Sequence, residues 1–187
     1  HYEGFWSQQL RPAQDLMLEM TALASGERVL DVACGTGLVT FRAAEAVGPT
    51  GHVAASDISE DMVAAVAATA AARGLVGDFR RMDAEVLEFP DGGFDAVVCG
   101  LGLMYVAEPL NALREMRRVL RPGGRACAAV WGARANCGWA EIFPIVEART
   151  ASEVCPMFFS LGTGHTMANA FRDAGFTDCL LYTSPSP

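Results

Sequence analysis

No lysine occurs among the 187 residues, and all 14 basic side chains are arginine. Set against 22 acidic residues they leave a net charge of −8. The arginines are scattered, apart from Arg114, Arg117, Arg118 and Arg121 within one helix-like segment. An acidic chain without a basic stripe is a poor match for a polyanion, so no nucleic-acid partner is expected. No apolar run reaches the roughly 18 residues that a membrane span requires, and no secretory signal is visible. The six cysteines include no CxxC pair, and Cys137 and Cys155 lack paired spacing with the three histidines. A metal centre is therefore not expected. Cys34, Cys99 and Cys127 sit in apolar strand contexts, as small buried thiols do. A reducing, cytoplasmic setting fits them.

What is present is a chain with 51% hydrophobic and 19% charged residues. Its size suits one globular domain with a real core. The most informative stretch is Val29-Leu30-Asp31-Val32-Ala33-Cys34-Gly35-Thr36-Gly37. An apolar run ends in an acidic residue, a tight glycine turn follows, and an amphipathic segment begins at Leu38. This is a buried strand feeding a helix through a turn that lets a ligand touch the backbone. Open α/β sheets bind cofactors at such turns. A glycine turn alone does not distinguish nicotinamide, flavin and other nucleotide folds. Three features narrow it, one being Asp83-Ala84 after the third strand, in position for a further contact with a bound base. Thr40 stands where dinucleotide folds place a third glycine. Asp31, four residues before the turn, suits a cationic ligand group and would repel a pyrophosphate.

Strand-like and helix-like segments then alternate. Strands are expected at 27–33, 52–56, 78–82, 94–99 and 125–131, with a last one at 176–182. Helices are expected from Leu38 to Val47, from Ser59 to Gly74, from Pro109 to Leu120 and from Thr166 to Ala174. Arg80 and Arg81 make the third strand polar, which places it at a sheet edge. The fourth is wholly apolar after Asp95, which places it centrally. Strands separated by helices make a mainly parallel sheet. The fold class is thus α/β, a Rossmann-like, mainly parallel sheet with helices on both faces. Residues 1–26 read as an N-terminal helical lid, 27–131 as the cofactor-binding core, 132–182 as the acceptor region with the last strand, and 183–187 as a tail.

Four motifs in register carry a family resemblance: DVACGTG at 31–37, SDIS at 56–59, MDAEVLEFPDGGFDAVV at 82–98 and LREMRRVLRPGG at 113–124. Over roughly residues 27–131 the chain resembles the class I S-adenosylmethionine-dependent methyltransferases. The group nearest to it contains ubiquinone/menaquinone-biosynthesis C-methyltransferases and many small-molecule methyltransferases. The resemblance implies S-adenosyl-L-methionine as cofactor. It implies that Asp31, Gly35, Thr36 and Gly37 cradle the methionine part, with Asp31 near the ammonium end. Asp57 would accept hydrogen bonds from the ribose hydroxyls, and Ile58 would pack on adenine. Asp83 and the Ala84 backbone would hold the adenine amino group, and Cys99 and Gly100 would line the pocket. Asp57 and Asp83 also suit turn-capping roles, and Ile58 a core contact.

Methyl transfer from a sulfonium needs position and a dry site more than an acid–base pair. No catalytic base is assigned; His165 and Tyr105 are the nearest candidates, and His52 lies at the wrong end of its strand. The acceptor is expected to be a small, partly apolar molecule selected by residues 132–164 and the aromatic start Tyr2-Glu3-Gly4-Phe5-Trp6. Two other classes share parts of the pattern: a nicotinamide oxidoreductase, and a cofactor-binding protein without turnover. The start at His1 suggests a trimmed N-terminus. The end, Cys179 to Pro187, resembles translated adapter sequence at the ends of metagenomic gene predictions. Related folds close with an antiparallel seventh strand, which is expected to be missing here because Pro185 and Pro187 cannot supply its donors.

Overall fold

A computed structural model describes residues 2–150 and 158–183, with side chains at 7–149 and 158–183. Five strands, β1 (Arg28–Val32), β2 (His52–Asp57), β3 (Gly77–Arg81), β4 (Phe94–Gly100) and β5 (Leu120–Ala129), form one sheet in the order β3-β2-β1-β4-β5. Every pairing is parallel. Six helices accompany it: α1 (Tyr2–Thr21), α2 (Leu38–Val47), α3 (Glu60–Ala72), α4 (Pro109–Val119), α5 (Ile142–Thr150) and α6 (Thr166–Asp173).

Side-chain alternation along the strands builds two cores. Val29, Val53, Ala96 and Val98 face one side and pack with Met17 of α1 and Val39, Ala43 and Val47 of α2. Leu30, Val32, Ala54, Val97 and Cys99 face the other and pack with Leu113 and Met116 of α4 and Met167 of α6. Helices therefore cover both faces, which is why the central strands read as continuous apolar runs. Helix α4 starts on Pro109 and buries Ala112, Leu113, Met116 and Val119 at helical spacing. Each large apolar side chain so buried is worth about 1.5–3 kcal/mol. The polar β3 lies at the edge, and β4 lies inside, as the sequence pattern implies.

Two strand expectations fail. β5 begins at Leu120, paired with Phe94, and the next paired residue is Arg125 opposite Ala96. The Pro122-Gly123-Gly124 segment is a bulge within the strand, with Gly123 at φ 77°, and not merely the stop of the preceding helix. The strand also ends at Ala129, short of Trp131. Residues 176–182 form no strand. The Phe176 N–H turns back to the Phe171 carbonyl at 3.0 Å, and the two rings pack at 5.1 Å. Asp178 then takes a left-handed φ of 52°, which breaks any extended run. Leu180 and Tyr182 are left exposed. Among the described residues no strand pairs with the outer edge of β5. Residues 184–187, and with them most of the expected tail, lie outside the described residues.

Arginines pin the connections. Arg125 on β5 donates to the Thr21 carbonyl at 2.7 Å and to both Glu27 oxygens at 2.7 and 2.8 Å, anchoring the end of α1 to the sheet. Arg118 on α4 donates to the Leu87 and Phe89 carbonyls at 2.6 and 2.9 Å, and pairs with Asp91 and Glu115. Glu115 in turn accepts the Leu87 N–H at 2.8 Å. The loop after β3, which opens with Asp83 and Ala84, is thereby tied to α4. Replacing Arg118 with Ala leaves two carbonyls and two carboxylates without their donor. The expected loss is about 2–3 kcal/mol, seen as a lower urea midpoint. Amide exchange over residues 83–93 should accelerate while that of β1 and β2 stays slow.

Candidate functional site

The order β3-β2-β1-β4-β5 reverses direction beside β1, so the loops after β1 and β4 diverge and leave a crevice at the carboxyl ends of the strands. A cavity of about 790 Å³ opens there. Asp31, Gly35, Thr36, Asp57, Ile58, Asp83, Ala84 and Gly100 all line it. Eight of the ten residues singled out in the sequence thus converge from four strand ends.

The other two do not reach it. Cys99 is wholly buried in the core beneath α4, because alternation along β4 sends it to the face opposite Val98. Burial pushes its thiol up to about 12. It is not among the residues that line this cavity, contrary to the expectation from the resemblance. Gly37 sits behind the turn at φ 94°, where a Cβ would meet Phe41 and Val66 at 2.6 Å. Its part is to leave room at the turn for the Phe41 ring of α2 and Val66 of α3. Gly35, at φ 54°, faces open space, so its backbone is bare toward the cavity.

Asp31 is the most unusual group. It is fully buried; its Oδ2 accepts the Thr40 hydroxyl at 2.6 Å, while Oδ1 has no partner among the described residues. Thr40 therefore occupies the third-glycine position with a hydroxyl that orients Asp31. Only a buried threonine one turn into the helix hinted at this. Burial, with Asp57 nearby as a second negative charge, pushes the Asp31 carboxyl up to about 7. Asp57 bridges two loops: Oδ2 accepts the Gly35 N–H at 2.8 Å and Oδ1 the Ser59 N–H at 2.9 Å. Asp83 accepts the Glu85 N–H at 2.9 Å, so it caps a turn as well as facing the cavity. Ile58 is 64% exposed at the rim and is not a core residue.

The charged side chains lining the cavity are Asp31, Asp57, Asp83 and Glu85, all acidic. Burial raises the Cys34 thiol far above its usual range, which leaves no thiolate nucleophile there. His165 precedes α6, exposed and away from the cavity; His52 opens β2 at the far end of the strand. Tyr105 does line the cavity, 5.4 Å from the Phe158 ring. Trp131, Trp139 and Phe158 form the adjoining wall, which continues into a cluster with Phe143 and Phe159. Leu10 and Gln14 of α1 close the cavity from the N-terminal side. These two were not anticipated, and the side chains of Tyr2 to Trp6 lie outside the described residues. Among the described residues no group of three or more metal-ligating side chains occurs, and no helix is long and apolar enough to cross a membrane.

A parallel sheet with an acidic crevice at its switch point defines a class of nucleotide-cofactor enzyme folds. The methyltransferase-domain family matches residues 29–124. The chain belongs to this family, the class I S-adenosylmethionine-dependent methyltransferases. It is 44% identical over 110 residues to the ubiquinone/menaquinone biosynthesis C-methyltransferase UbiE of Pseudomonas entomophila, across 58% of this chain and 43% of that protein. The match thus spans less than half of that relative's length. Among solved structures, a SAM-dependent methyltransferase from Aquifex aeolicus aligns with TM-score 0.68 at 23% identity, over 87% of this chain and 78% of that one. The [4+2]-cyclase SpnF aligns with TM-score 0.67 at 30% identity, over 88% and 56%. The fold is shared across different chemistries.

The residues present fit the family's cofactor. An orphaned carboxylate oxygen, a bare glycine backbone and an all-acidic lining suit a ligand that carries an ammonium and a sulfonium. A pH dependence follows from Asp31. Its carboxyl rises from 3.8 to about 7 on folding. Its contribution to stability is therefore full below about 4 and lost as pH rises through about 7. Between pH 7.5 and 5.5 the ligand-free protein should gain about 2 kcal/mol of stability relative to Asp31→Asn, read as a rise in melting temperature that the variant does not show. Parallel pH curves for the two proteins would contradict this.

Proposed function

We propose that this chain holds S-adenosyl-L-methionine in the crevice and transfers its methyl group to a small, partly apolar acceptor. The observation that carries the reading is the unpartnered Asp31 Oδ1 at the deep end of a cavity that also gathers Asp57 and Asp83. In this reading Asp31 takes the ammonium, and the Gly35 and Thr36 backbone lies along the methionine part. Asp57 accepts the ribose hydroxyls with lone pairs left over from its two backbone bonds. Ile58 covers one face of the base, Asp83 and the Ala84 backbone take its amino edge, and Gly100 contributes backbone alone. When bound, the cofactor supplies an electrophilic methyl on a cationic sulfur. The aromatic wall excludes water and positions the acceptor in line. Residues 27–131 act as the cofactor-binding part, with α1 as lid and residues 132–182 on the acceptor side.

The similarity to UbiE-type enzymes supports a finer version, in which the acceptor is an electron-rich ring of quinol type and the new bond is to carbon. The acidic surface and the absence of a basic stripe support a small molecule over nucleic acid as partner. One observation favours a second reading, cofactor binding without methyl transfer: no histidine, lysine or arginine is among the described lining residues. Labelled-methyl cofactor with a panel of phenols and quinols, read by mass spectrometry, separates the two. Label on an acceptor supports transfer, and unlabelled panels with tight cofactor binding support the second. Calorimetry tests the shared part. Asp57→Ala should weaken S-adenosylhomocysteine by roughly 10- to 100-fold, the worth of a charge-assisted hydrogen bond. Tight NADH binding with no response to S-adenosylhomocysteine would overturn both readings.

A further inference from the structure

Gln14 contributes the one amide side chain in the cavity wall. It is 9% exposed and makes no side-chain hydrogen bond among the described residues, and its amide atoms, unlike Asp31 Oδ1, are not among the fully buried unpaired ones. A nearly buried side chain on a cavity wall whose polar atoms stay reachable and unshared marks a place for a ligand atom. Its position is held from both sides along α1. Asp15 pairs with Arg42 of α2. One turn further on, Met17 is buried against Val29, Val39 and Val98, and its carbonyl accepts the Thr21 hydroxyl at 2.6 Å. Leu10, one turn earlier, lines the same cavity. The amide is therefore presented by a fixed helix face and is not a side chain on a free end.

We infer that Gln14 is a specificity-determining residue that selects a neutral acceptor bearing a hydroxyl or carbonyl oxygen; the inference rests on the methyl-transfer reading above. The chemistry around it narrows the partner. An anionic acceptor is disfavoured by the four lining carboxylates. A purely apolar one suits Trp131, Trp139 and Phe158 but leaves the Gln14 amide desolvated and unpaired. An oxygen substituent on a ring satisfies both walls. The amide N–H donates to that oxygen, and the amide oxygen accepts from a hydroxyl when one is present. Sites built around such a bond reject analogues that lack the polar group far more strongly than they reject a change of one methylene.

The probes are p-cresol and p-xylene, which differ by a hydroxyl against a methyl of similar size. Protein with ¹⁵N-labelled glutamine is titrated with each, with and without saturating S-adenosylhomocysteine. The Gln14 side-chain amide signal should shift with p-cresol and not with p-xylene. Gln14→Met should weaken p-cresol by roughly tenfold, leave p-xylene unchanged or tighter, and keep the S-adenosylhomocysteine affinity of the parent. Failure of p-cresol to bind the parent protein overturns the inference. So does an unshifted Gln14 signal, which needs no variant to be read. A variant that loses S-adenosylhomocysteine affinity and keeps the cresol-to-xylene ratio also overturns it, since the amide then serves the cofactor. Absence of S-adenosylhomocysteine binding by the parent defeats the methyl-transfer reading separately, while the cresol comparison still reads Gln14.

Discussion

A carboxylate buried at the centre of a purely parallel sheet is the constraint around which this molecule is arranged. Asp31 stands on β1 with β2 on one side and β4 on the other, 1% exposed. One oxygen is satisfied from α2 by Thr40. That bond requires α2 to start close behind the turn, and Gly37 in that turn leaves the space into which Phe41 and Val66 of α3 pack. Asp57, at the end of the next strand, then binds the backbone of the same turn at Gly35. Turn, helix and second strand are thus locked around one orphaned oxygen. The geometry is costly without a cation, and the fold tolerates it because burial lets the group protonate near neutrality.

The part of the site made from strand ends was legible in the sequence. Asp31, Asp57 and Asp83 each fall at or beside the carboxyl end of a strand-like run, where open α/β sheets hold their cofactors. Helix α2 and strands β2 and β4 were legible for a related reason, since local pattern and tertiary burial agree along them. Cys99 misled because the position is at the right strand end but on the wrong face, and a one-residue phase reverses a side chain's side. The bulge in β5 was hidden by Pro122-Gly123-Gly124, whose turn chemistry reads as a stop even where the partner strand continues.

The acceptor side was legible only as a region. Trp131, Trp139, Phe143, Phe158 and Phe159 pack on each other as a small separate core, and four aromatic side chains with Tyr105 among them line the cavity. No periodicity announces which rings do so, because that selection is made by contacts distant in sequence. Gln14 was invisible for the same reason. A glutamine on an amphipathic helix looks like a solvent-facing residue until the helix is laid across β4 and β5. The final segment, 176–182, shows the converse. Its composition suits a strand, but strand identity is conferred by a neighbour. Phe176 instead folds back onto Phe171.

The absence of lysine gives the pins of this scaffold a property that the site does not share. Arginine guanidiniums keep their protons in any ordinary buffer, and bonds to Glu115 and Asp91 hold that of Arg118 more firmly still. Their partners are equally steadfast on the acid side. Arg118 holds the Glu115 carboxyl below its usual range, and the Arg28 backbone N–H and Arg121 do the same for Asp95. For Glu27, burial works in the other direction, but its bonds to Arg125 and the Ala24 N–H outweigh it. These ion pairs therefore keep one charge state across the interval in which Asp31 changes its own. The pins that hold the crevice in shape stay fixed while the group at its centre changes charge.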